Sequence, residues 1–221
     1  MNYLTYSVAA RDGKEHDVEV YFEASPRWAL DQPYQQSASK GYEADGLLYL
    51  KSGSKEQNIL AKQGDDLRID WGYFYMVAGK ENTAYSVGNS TELRKNFVNG
   101  TLNSASLEGE DSNGNMALVR SYGKVKNVTD KIMLGYDDIY SIQYFGTNLR
   151  PYWNSKGDRT IEAEMLAAYN EYDKLLARCY AFDKKLMEDA SAAGGKEYAE
   201  LCALAYRQSI AAHKLVEAPQ R

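Results

Sequence analysis

Polar and apolar residues alternate along the first half of the chain and recur at steps of three and four along the second; the change falls near residue 125. Alternation puts successive side chains on opposite faces of a strand, whereas steps of three and four line one face of a helix. In the first half, Tyr3-Leu4-Thr5-Tyr6-Ser7-Val8 reads as a strand, Asp12-Gly13 as a turn, and His16 to Ala24 as a second alternating strand, together a β-hairpin. Gly46-Leu47-Leu48-Tyr49-Leu50, Leu67 to Val77, Ala84 to Gly88 and Met116 to Tyr122 read as further strands. Turn signals separate them at Gly64-Asp65, Asn99-Gly100 and Asp111-Ser112-Asn113-Gly114. Residues 91–97 read as a short helical turn or a loop. Short strands with turns this frequent predict an antiparallel β-sandwich over residues 1–124.

From Thr160 onward, Ile161, Met165, Ala168, Tyr172, Leu175, Leu176, Cys179, Phe182, Leu186 and Ala190 mark one face of a long helix, capped by Asp158 or Thr160. Gly194-Gly195 ends it. A second helix is predicted from about Lys196 to Val216, stopped by Pro219, and its apolar girth implies burial on more than one side. The expected class is α+β: the sandwich at 1–124, a linker at 125–159 and an α-hairpin at 160–221. Cys179 and Cys202 stand about 22 Å and about 10 Å along their helices from the Gly194-Gly195 break at 1.5 Å per residue. They are out of register by about 12 Å, so two reduced, buried thiols are expected rather than a disulfide. The wide apolar surface of the last helix, and ends that read as cut, predict an internal segment of a longer protein.

Composition narrows the function classes. A net charge of −5 leaves no cationic excess for phosphates, so no nucleic-acid partner is expected. No apolar run reaches membrane-spanning length, and the first residues lack a signal-peptide pattern. Two histidines far apart in sequence, with two cysteines, predict no metal site, and no cofactor motif is present. The 19 tyrosines suit half-exposed strands or a surface for small polar ligands. Asn89, Asn99 and Asn127 begin N-x-Ser/Thr tripeptides.

Between the halves runs Leu134-Gly135-Tyr136-Asp137-Asp138-Ile139-Tyr140-Ser141-Ile142-Gln143-Tyr144-Phe145-Gly146-Thr147-Asn148-Leu149-Arg150-Pro151-Tyr152-Trp153-Asn154. This stretch resembles a hallmark of the glutaminase A family. The resemblance continues through Cys179 to Asp183, Ala192 to Gly195, Tyr198 to Gln208 and Ala211 to Val216, and upstream through Asp12 to Val18 and Ile69 to Tyr73. It implies a longer, secreted or periplasmic parent, with a supersandwich-like β-domain followed by an (α/α)6 toroid whose first two helices lie here. It also implies hydrolysis of L-glutamine to L-glutamate and ammonia. The architecture, by analogy, points instead to carbohydrate chemistry, and a non-catalytic binding module with the sandwich as its functional unit is a third reading. The expected partners are therefore a small-molecule substrate, L-glutamine or a carbohydrate, and the remainder of the parent chain.

Within that stretch, Asp137 and Asp138 are adjacent carboxylates among aromatics, readable as an acid/base pair or as loop caps and an ion pair with Arg150. Gln143, Tyr144, Arg150, Tyr152 and Trp153 form a polar and aromatic cluster, readable as a substrate-facing edge or as packing between domains. Arg150 suits a substrate carboxylate through a bidentate contact. Arg207, Gln208 and His213 interrupt an otherwise apolar helix, where buried polar groups need partners. None of these positions identifies a catalytic group.

Overall fold

Ten strands and three helices follow one another along the chain in the computed structural model, which describes residues 1–102 and 114–218. They form two units, Met1–Asn148 and Leu149–Arg221. Most of the turn expected at 111–114, and the stop at Pro219, lie outside the described residues. The architecture is mixed α+β with antiparallel sheets.

In the first unit, β1 (Asn2–Ala9), β3 (Ser37–Ala44), β4 (Leu47–Ser54), β5 (Tyr73–Gly79) and β8 (Asn127–Asp137) build a five-stranded sheet in the order β1-β8-β5-β4-β3. A three-stranded sheet takes β2 (His16–Ala24), β7 (Asn115–Val125) and β6 (Thr83–Gly88) in the order β2-β7-β6. Leu50, Phe74, Met76 and Ile132 from the first sheet share one core with Ala24, Val87, Met116 and Leu118 from the second, as two stacked layers do. The helix α1 (Ser90–Val98) is capped by Asn89, whose side chain accepts from the Thr91 amide.

The expected β1–β2 hairpin does not form. The turn is present, with Gly13 at φ 71°, but β1 pairs β8 while β2 pairs β7 in the other sheet. The Ala10 amide donates to the Lys126 carbonyl at 2.8 Å, so the two connections turn the corner between sheets together. The strand expected at 67–77 begins only at Tyr73, because Asp70 is buried in polar contacts and Gly72 bends at φ 74°. The strand β8, in the segment read as linker, pairs with β1 and β5 inside the larger sheet.

In the second unit, α2 (Ile161–Asn170) starts at Thr160, whose hydroxyl accepts from the Ala163 amide. The helical span α3 (Tyr172–Ala211) is broken at Gly195, φ 81° and ψ −177°. The Phe182 and Tyr206 rings lie 5.0 Å apart, so the chain doubles back there and the arms run antiparallel. Gly194 is needed beside the bend, since a Cβ would stand 2.6 Å from the Tyr198 ring. Ala190 and Ala199 are buried where the arms meet. Three expectations change. The first helix is interrupted at Glu171. The last arm ends at Ala211, because Leu215 and Val216 pair instead with Tyr152 and Pro151. Apart from the buried Ala199, its larger apolar residues are exposed where burial was expected, Leu201 at 62% and Ile210 at 61%. Both thiols are free, and Cys179 is exposed rather than buried.

Truncating the fully buried Leu118 to Ala is expected to cost about 2–5 kcal/mol. Truncating the exposed Leu204 is expected to stay within about 0.5 kcal/mol, both read by denaturant unfolding.

Candidate functional site

The segment singled out in the sequence leaves β8 through a strained turn. Ile139 has φ 55°, and the Tyr140 amide donates to the Asp138 carbonyl across it, closing a γ-turn around a β-branched residue. Such a backbone costs about 1–3 kcal/mol and persists only where its surroundings impose it. The surroundings are explicit. Asp137 Oδ1 accepts from the Ile139 amide at 3.0 Å, and the Ser141 hydroxyl donates to Asp138 Oδ2 at 2.8 Å. The Trp71 indole donates to the Asp138 and Tyr140 carbonyls at 2.8 and 3.0 Å. Tyr136 donates to the Trp71 carbonyl at 2.6 Å. A side chain on Gly72 would overlap the Asp137 carbonyl.

Both aspartates thus hydrogen-bond within their own turn. Asp138 is 5% exposed and Asp137 half-buried. Burial, reinforced by the carboxylates of Asp138, Asp70 and Asp137, pushes the Tyr136 phenol well above its ordinary value. Beyond the turn, Gln143 is exposed and donates to Asn148 at 3.0 Å. Strands β9 (Ile142–Tyr144) and β10 (Thr147–Leu149) are joined by Phe145-Gly146, with φ 46° and 80°. Tyr144 packs edge-on against Phe145, centroids 4.6 Å apart, and Phe145 is 90% exposed.

A polar network behind Trp71 escaped the reading of the sequence. Lys62 Nζ reaches Asp31 Oδ2 at 3.0 Å and Asp70 Oδ2 at 2.9 Å. Gln35 donates to Asp70 at 2.9 Å and accepts from the amides of Asp31 and Gln32. Both carboxylates are buried, and each needs the cation. The hydrogen bond from Lys62 holds the Asp31 carboxyl below its usual range, and the bonds to Asp70 and Asp31 push the ammonium of Lys62 upward. The residues are scattered among loops, so only the Asp70-Trp71-Gly72 stretch gave any signal.

Arg150, Tyr152 and Trp153 belong to the second unit. Arg150 is half-buried and lies over Gly157, where a Cβ would stand 3.1 Å from its Nε. Pro151 is buried and bridges to Val216, and the Tyr152 amide donates to the Leu215 carbonyl at 2.9 Å. Residues Tyr152–Asn154 form a 3₁₀ turn. Asn154 accepts from the Arg159 amide at 3.0 Å, and Gly157 takes φ 72°. This loop borders an open hollow of about 440 Å³ lined by Tyr152, Trp153, Lys156, Asp158, Arg159 and Glu217, among others, its four charged residues all exposed. Arg150 is not among its lining residues, and the charges that line it were not read from the sequence. Among the described residues no group of three His, Cys, Asp or Glu side chains is placed to hold a metal ion, and no helix is long and apolar enough to cross a membrane.

Sheets and segment together describe an α+β protein whose antiparallel strands are followed, across a strained and aromatic connection, by a helical hairpin. The chain belongs to the family described as a domain of unknown function (DUF5127), whose model matches residues 1–189. It is also similar to glutaminase A of Aspergillus oryzae (strain ATCC 42149 / RIB 40), 27% identical over 236 residues. That match takes in 99% of this chain and 33% of the relative, so the chain spans about a third of the length of the curated relative it matches.

The network of Lys62 has a pH signature. The lowered native value of Asp31 contributes stability that is complete above its unfolded value of about 3.9 and is lost as the pH falls through the native one. Lys62→Met is therefore expected to lower the melting temperature clearly at about pH 7, and the gap to the parent chain is expected to narrow towards about pH 3. Thermal melts across that range check it.

Proposed function

We propose that the chain forms part of a glutaminase-like hydrolase, in which water attacks the side-chain amide of L-glutamine to give L-glutamate and ammonia. The observation that carries this reading is the similarity to glutaminase A along 99% of the chain. Amide hydrolysis needs a base for the water and donors for the oxyanion. In this reading the base is supplied by the longer protein. The candidates for facing a substrate are Asp137, Asp138, Gln143 and Tyr144 in the first unit and, separately, Arg150, Tyr152 and Trp153 in the second. The strained turn at Ile139 supports such a role, since strain of this kind gathers at functional sites.

The same proposal extends to architecture and place. The arms of α3 begin a helical toroid, and Leu201, Leu204 and Ile210, each more than half exposed, offer apolar surface for further helices. The β-layers are those of a supersandwich, and the longer protein works in the periplasm or outside the cell.

The longer protein is expected to release ammonia and glutamate from L-glutamine. Arg150→Ala is expected to raise KM about tenfold or more, the scale of one charge-assisted hydrogen bond. Sugar release from oligosaccharides with no ammonia from glutamine contradicts the proposal.

A further inference from the structure

We propose that residues 58–69 form a strap that opens as one piece from a closed base, with Lys62 as its latch, and that opening uncovers the paired carboxylates of Asp31 and Asp70 while both sheets stay folded. The device lies in the first unit and is independent of the reaction proposed above.

The connection from β4 to β5, residues 55–72, exceeds the roughly 12–15 residues beyond which an irregular loop is commonly functional. Side chains close its base. The Ser54 hydroxyl donates to the Asp70 carbonyl at 2.5 Å. The Gln57 side chain donates to the Ser54 carbonyl at 2.8 Å and holds both backbone groups of Gly72. The Lys55 amide donates to the Gln36 carbonyl at 2.9 Å. Between these ties nothing is sunk into the protein: no residue of 58–69 is buried, and 61–68 are all exposed. Among the described residues, two groups of 58–69 bond beyond their neighbours in the loop. One is the Lys62 ammonium, held by Asp31 and Asp70, and the other is the Arg68 amide, which donates to Asp31 Oδ1 at 3.3 Å. The remaining bonds are local, Ile59 to Gln57, Ala61 to Asn58 and Asn58 to Glu56.

The energetics let this latch release. The side chains of Asp31 and Asp70 are 6% and 2% exposed and that of Lys62 is 40% exposed. In the closed strap the carboxylates exchange water for one ammonium. In the open strap all three ions are hydrated again, and the recovered hydration offsets much of the lost attraction. Leu60 and Asp66 sit at φ 49° and 59°, a left-handed backbone that is costly outside glycine and is relieved when the strap lets go. Removing the ammonium alone acts differently: a closed strap then buries two carboxylates without a cation, which drives it open. Salt screens Lys62, the most exposed of the three, and so sets how often the carboxylates face solvent.

The test is limited tryptic digestion of the folded 221-residue chain, with cleavage after Arg68 followed by mass spectrometry. A protease cuts an opened segment, so the rate there counts open molecules. In the parent chain that rate, normalised to a short peptide substrate, is expected to rise about threefold or more between about 0.01 M and about 1 M salt. Lys62→Met is expected to raise it about tenfold or more at low salt, the scale of a lost charge-assisted bond, and to abolish the salt dependence. The nicked parent chain is expected to remain one particle on gel filtration, since β1 pairs β8 and β4 pairs β5 across the cut. Equal rates in the two chains at low salt, a salt dependence that survives Lys62→Met, or a nicked parent chain that falls apart overturns the proposal. If Lys62→Met fails to fold, the salt series on the parent chain is the test, and a rate indifferent to salt overturns the latch.

Discussion

The backbone of Gly72 lies so close to the Asp137 carbonyl that no other residue fits, and the arrangement of the first unit's polar end depends on that approach. It lets Trp71 reach over the turn after β8 and hold two of its carbonyls with one indole N–H. It lets Tyr136 answer from the other side, donating to the Trp71 carbonyl. Gln57 completes the clasp: its side-chain oxygen accepts from the Gly72 amide at 2.7 Å, and its side-chain nitrogen donates to the Gly72 carbonyl at 3.1 Å. Two polar loops can be buried at a sheet end only when their donors and acceptors find one another. The Lys62 network applies the same requirement to charge, one step further from the turn.

The strands legible in the sequence are those whose buried face is apolar. Leu47, Tyr49, Met116 and Leu118 announce β4 and β7 because burial and hydrophobicity coincide. The strand β3 gives no such signal. Its inward positions are Ser37, Ser39 and Gly41, chosen because Ser39 bonds Ser52 at 2.8 Å and the Tyr85 ring fills the space above Gly41. In β8, Asp130 interrupts the alternation in order to bind Arg120, at 2.7 Å. The hairpin turn at Gly194-Gly195 was legible because only glycine suits that bend. Burial of the arms was not, since period reports which face is apolar and says nothing of what covers it. Pairing was hidden too: Asp12-Gly13 signals a turn equally well whether the flanking strands pair or part into two sheets.

For the candidate site, residue types were legible and placement was not. Asp137 and Asp138 stand out as adjacent carboxylates, yet their bonds to Ile139 and Ser141 shape a turn. Tyr152 and Trp153 line an open hollow whose charges come from Lys156, Asp158, Arg159 and Glu217. The last of these arrives through a single backbone bridge between distant residues, a contact no local pattern encodes.

Trp71 and Gly72 impose the turn at Ile139. Amide hydrogen exchange at Tyr140 is measured before and after Trp71→Phe, because that amide closes the γ-turn and the substitution removes the indole donor while keeping an aromatic ring. Slow exchange is expected in the parent chain and exchange about tenfold faster or more in the variant, the scale of one lost hydrogen bond. Equal rates in the two chains would contradict it.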